Sequence, residues 1–90
     1  MNKEIENVTK EINKLLQEKN KRYGNSALNP LGIFNKNDAT SGIQIRLDDK
    51  LMRIKNNSGD LRKNDIADIM GYLVLLCVSK GWLDFTELID

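Results

Sequence analysis

The sequence predicts an all-α fold: one domain over residues 1–90, built as a three-helix bundle with a short C-terminal helix and a long ordered loop between helices 1 and 2. Three observations lead there. Apolar residues recur at three- and four-residue steps in three separate segments. The only proline lies between the first two of these segments, in a stretch without any period. Ninety residues leave no room for a second core.

The first segment reads as a helix from about Lys3 to Arg22. Ile5, Val8, Ile12, Leu15 and Lys19 form its stripe, widened by Leu16. Its glutamates come early and Lys19, Lys21 and Arg22 late, which suits the helix dipole. Gly24 is placed to end it as a left-handed cap. Residues 25–38 form the loop, with Pro30, a glycine, four asparagines and the apolar Leu28, Leu31, Ile33 and Phe34. A loop of that length and content is packed down as a lid or is functional. Asp38 is a suitable N-cap for a second helix over about Ala39 to Asn56, with Ile43, Leu47, Leu51 and Ile54 as the core stripe.

Asn56 to Asp60 is a turn, and a third helix follows from about Leu61 to Lys80. From Ile66 onward it is apolar over most of its circumference, so it belongs at the centre or in a subunit interface. Gly81 closes it, and Trp82 to Leu88 forms a short final helical turn that lays Trp82, Phe85 and Leu88 on the body. The short connection between the second and third helices implies an antiparallel hairpin.

Composition narrows the function. Fourteen basic residues against thirteen acidic ones give a net charge of +1, far from the basic excess of a duplex-binding protein. The cluster Lys19, Lys21 and Arg22 reads as a solvated helix end or, alternatively, as a phosphate site. One cysteine, Cys77, lies in an apolar run and cannot make an internal disulfide, which points to a reducing compartment. The chain has no histidine, so Ser-His-Asp chemistry and an activated cysteine are excluded, and most zinc sites with them. Any metal would be a hard cation such as magnesium, held by carboxylates. The start of the chain carries no apolar signal core, and no apolar run approaches a membrane span, so the cytoplasm is the expected location, without a membrane partner. A chain this small buries only roughly 60–65% of its unfolded surface, which favours a homo-oligomer.

Two charged stripes carry the candidate chemistry: Arg46, Asp49 and Arg53 on the second helix, and Asp65, Asp68 and Tyr72 on the third. One reading is an intramolecular ion-pair network, with Asp49 to Arg53 along one helix and Arg46 across to an aspartate. The other is a cleft in which carboxylates hold magnesium and arginines grip phosphate in bidentate fashion. A magnesium-dependent hydrolase of this type needs roughly four converging carboxylates. The first helix supplies no glutamates three or four apart, so the catalytic set is incomplete. A third feature is the string Lys19-Asn20-Lys21-Arg22-Tyr23-Gly24-Asn25-Ser26, in which Tyr23 either stacks on a base or caps the core.

Taken together, the strings from Glu18 to Ser26, Arg46-Leu47-Asp48-Asp49-Lys50-Leu51-Met52-Arg53-Ile54 and Asp65-Ile66-Ala67-Asp68-Ile69-Met70-Gly71-Tyr72 resemble the nucleotide modification associated domain of type 1. That family comprises small all-α proteins common in bacteriophages and prophages, distantly like all-α nucleoside triphosphate pyrophosphatases. The likeness spans Glu18 to Tyr72. It implies a link to nucleotides and a ligand-facing set of Lys19, Tyr23, Asn25, Arg46, Asp49, Lys50, Arg53, Asp65, Asp68 and Tyr72. The chain lacks the pyrophosphatases' Glu-Glu-x-x-Glu metal motif. The expectation is therefore a phage-type, non-catalytic nucleotide-binding protein without a cofactor, which sequesters a nucleotide, conceivably a cyclic nucleotide of host antiviral signalling. The alternatives are a magnesium-dependent nucleotide hydrolase using Asp49, Asp65 and Asp68, and a structural adaptor with no small ligand.

Overall fold

A computed structural model describes residues 1–23, 39–57 and 59–89. It contains three α-helices, α1 (Asn2–Tyr23), α2 (Ala39–Asn56) and α3 (Lys63–Ser79), then one 3-10 turn over Thr86–Leu88. No strand occurs among the described residues. No described helix is long and apolar enough to cross a membrane. The expected loop over 25–38, with Gly24 and the Asp38 cap, lies outside the described residues.

α2 and α3 form the antiparallel hairpin that the short turn implies, tied at both ends. Where α2 starts and α3 ends, Thr40 and Ser79 share a hydrogen bond of 2.9 Å. The Ser79 hydroxyl donates to the Leu76 carbonyl at 2.9 Å, so the proton in the Thr40 contact comes from Thr40. Where α2 ends and α3 starts, Lys50 and Arg53 meet Asp65. α3 closes on Gly81, whose φ of 74° is open to glycine without strain. Its N–H donates to Val78, and the Trp82 N–H to Cys77, the paired bonds of a Schellman cap.

α3 also packs on α1, which makes it the central helix. That crossing is close because Gly71 faces it: a Cβ there would stand 3.0 Å from the Leu16 Cδ2. A glycine inside a helix gives up about 1 kcal/mol relative to alanine, and here the return is backbone-to-helix proximity. Gly71→Val should cost about 1–3 kcal/mol by overpacking, read as a lowered urea midpoint. A more stable variant would mean that α1 does not rest there.

Three expectations about the core need correcting. Leu51 is exposed, and Lys50 lies closer to the hairpin core at 15% exposure, because the aspartates of α3 stand opposite it and demand a cation. The α1 stripe is buried only at its far end: Ile12 and Leu16 are half-buried, whereas Ile5 and Val8 are exposed. Trp82, Phe85 and Leu88 do not lie on the body. They are exposed, and the Lys80 ammonium stands over the Trp82 ring, 5.1 Å from the centroid. The final turn is set locally, by Asp84 accepting the Thr86 backbone N–H at 2.8 Å. Ile43 is the one fully buried large apolar side chain among the described residues, at 2% exposure.

Candidate functional site

The site grows from one buried charge. Asp65 opens α3 and is 1% exposed, and it is acceptable there only because every face of its carboxylate is engaged. One oxygen, Oδ1, accepts from the Lys50 ammonium at 2.9 Å and from the Arg53 guanidinium. The other, Oδ2, accepts the Arg62 backbone N–H at 3.2 Å, satisfying a free amide of the first helical turn. Asp68, one turn on, shares the Lys50 ammonium at 2.9 Å and receives Lys19 from α1 at 3.6 Å. Two carboxylates and three cations thus link all three helices. Among the described residues no buried side-chain nitrogen or oxygen lacks a partner.

This geometry shifts the titrations in a consistent sense. The hydrogen bond from Lys50 holds the Asp65 carboxyl below its ordinary value; burial opposes the shift, while the Arg62 N–H and the nearby Arg53 reinforce it. Lys50 is raised in turn, chiefly by its bond to Asp68 and then by that to Asp65, against the cost of burial.

The expected ion-pair network is therefore present, with different members. Arg46 and Asp49 take no part in it, and among the described residues neither has an ion-pair partner. Asp49 and Arg53 do not pair. The reason is steric placement on α2: Lys50 and Arg53 point at the hairpin contact, and Arg46 and Asp49 flank it.

Two hollows meet beside this network. One, of about 250 Å³, lies between α1 and α3 over an apolar floor of Leu15, Leu16, Ala67, Gly71 and Leu75. Lys19, Asn20, Arg46, Asp68 and Tyr72 provide its polar lining. The other, of about 270 Å³, is charged, lined by Arg46, Asp49, Lys50, Arg53 and Tyr72. Arg46 and Tyr72 belong to both. Of the ten expected ligand-facing residues, eight are gathered on these two hollows and the network between them: Lys19, Arg46, Asp49, Lys50, Arg53, Asp65, Asp68 and Tyr72. Asn25 and the side chain of Tyr23 lie outside the described residues.

Sequence reasoning missed Asn20 and Gly71 as lining residues, although both stand inside the motif strings. A glycine in the middle of a strongly apolar helix was the available signal for a close approach. The Arg62 amide had none, since any residue at that position offers the same N–H. Among the described residues no three carboxylate, cysteine or histidine side chains gather as a metal group. The Lys50 ammonium stands between the two aspartates, 2.9 Å from each, and occupies the space that an ion bridging them would need, so this pair does not fit magnesium. Comparison of the chain with protein-family models, with curated proteins and with solved structures found no match.

Proposed function

We propose that this chain is a nucleotide-binding protein of phage type that holds its ligand without transforming it. The observation that carries the reading is Arg46, a guanidinium without an ion pair among the described residues, standing with Tyr72 where an apolar hollow meets a charged one. Ligand pockets usually combine an apolar lining with a few placed polar groups. An apolar hollow of about 250 Å³ offers room for a nucleobase. A phosphate would therefore fall in the neighbouring hollow, against Arg46, with Lys50 and Arg53 behind it. Arginine matches phosphate with two parallel N–H donors.

Within this reading the family resemblance is adopted as well, together with the ligand-facing set it implies, Tyr23 and Asn25 included. Sequestration is favoured over hydrolysis because Asp65 and Asp68 are committed to Lys50, Arg53 and Lys19. Carboxylates so engaged have their oxygens turned to cations of the chain and not to a magnesium ion. Asp49 alone remains, and one carboxylate does not make a magnesium site. The ligand would come from a cytoplasmic nucleotide pool, with cyclic nucleotide signals of antiviral defence among the candidates.

Chromatography after mixing the protein with linear and cyclic nucleotides, with and without magnesium, distinguishes the readings. Intact ligand recovered with the protein is expected. Altered ligand would establish an enzyme, and no retention of any nucleotide would leave the adaptor reading.

A further inference from the structure

Among the described residues, Asp68 is the one carboxylate that lines the apolar hollow between α1 and α3. Unlike Asp65, which is 1% exposed, it keeps 29% of its side chain open. Its Oδ2 accepts from the Lys50 ammonium at 2.9 Å. Its Oδ1 faces the Lys19 ammonium at 3.6 Å, beyond the roughly 3.2 Å of a formed hydrogen bond. A carboxylate accepts about four hydrogen bonds, so each oxygen has a position left for a donor that enters the hollow. Lys19 is half exposed and lines the same hollow, and its ammonium has donors to spare. The rim therefore presents a fixed order of groups: the Lys19 donor, then the acceptor Oδ1, then the acceptor Oδ2.

Guanine carries the complement in that order, with its carbonyl oxygen, its ring N–H and its amino group side by side on one edge. Adenine's amino group stands between two ring acceptors and meets a carboxylate only once. Cytosine's amino group has a ring lone pair beside it, and the ring N–H of uracil lies between two carbonyls. Each of these bases leaves one carboxylate oxygen without a donor or sets a lone pair against it. A site built around hydrogen bonds discriminates against a ligand that leaves its polar groups unpaired. Resting on the nucleotide reading above, we propose that the base is guanine, with Asp68 accepting its ring N–H and amino protons and Lys19 donating to its carbonyl oxygen. The sugar and phosphate then run past Tyr72 toward Arg46, the two residues shared with the charged hollow.

Calorimetry of the full chain tests this with guanosine, inosine, adenosine, cytidine and uridine monophosphates, each in linear and cyclic form. Guanosine should bind tightest within a form. Inosine lacks only the amino group and should bind at least about tenfold more weakly, the loss of one hydrogen bond to a charged acceptor. Asp68→Asn should bring the guanosine-to-inosine ratio to one or below, because the amide has one acceptor oxygen in place of two. A purely structural Asp68 would weaken both nucleotides alike and leave the ratio unchanged, which would overturn the proposal. So would a wild type that binds inosine or adenosine as tightly as guanosine, a ranking that needs no variant. Nucleotide binding would then stand and the base assignment alone would fall. A wild type that binds none of these nucleotides would overturn the nucleotide reading and the base assignment together.

Discussion

Replacing Asp65 with asparagine is expected to lower the urea midpoint more than any other single polar substitution in this chain. The amide keeps an acceptor for the Arg62 N–H, but among the described residues Arg53 loses its only ion pair and Lys50 retains Asp68 alone. The pH dependence identifies the cause. Asp65 titrates below its unfolded value of about 3.9, so its contribution is complete above that pH and is lost as pH falls through the lower folded value. Lys50 titrates above its unfolded value of about 10.4, so its contribution is complete below that pH and is lost as pH rises through the higher folded value. The stability gap between wild type and Asp65→Asn should therefore be widest from about pH 4 to pH 10 and close on the acid side. Equal midpoints at neutral pH would show that the network adds nothing to the fold.

Ile43→Ala is the second large effect, at about 2–5 kcal/mol. Ile43 is 2% exposed and stands on the α2 face that meets α3. Small domains are stable by only about 5–15 kcal/mol, so a chain with so little buried apolar surface would lose much of its margin. Thermal or urea unfolding reads the loss directly, and a cost under about 1 kcal/mol would mean that the hairpin packs elsewhere.

The helices were legible because their signals are local. The second helix was read as Ala39 to Asn56, and α2 has those bounds. α1 extends one residue past the expectation at each end, and α3 starts at Lys63 where about Leu61 was expected. What periodicity misjudged was decided across helices. Leu51 fitted the α2 stripe as well as Lys50 fitted a solvated one, and only the aspartates of α3 reverse them. The Arg46, Asp49 and Arg53 stripe was right as a face, yet spacing along one helix does not tell which of its members a neighbour will engage. Lys50 entered the expected set through the family resemblance and not through spacing. The exposed tail had the same limit: Trp82 and Phe85 look like core residues in sequence, and within one copy nothing in the described structure covers them.

Calorimetry of nucleotide binding to wild type and to Arg46→Ala tests the central claim most directly. Arg46 has no ion pair among the described residues, so the variant should match wild type in urea midpoint. Wild type should bind at least one nucleotide of a broad panel tighter than about millimolar, a free energy beyond roughly −4 kcal/mol. The variant should bind the same nucleotide roughly tenfold or more weakly, the loss of a charge-assisted hydrogen bond worth about 1.5–3 kcal/mol. No binding tighter than about millimolar, or binding indifferent to Arg46, would contradict the assignment.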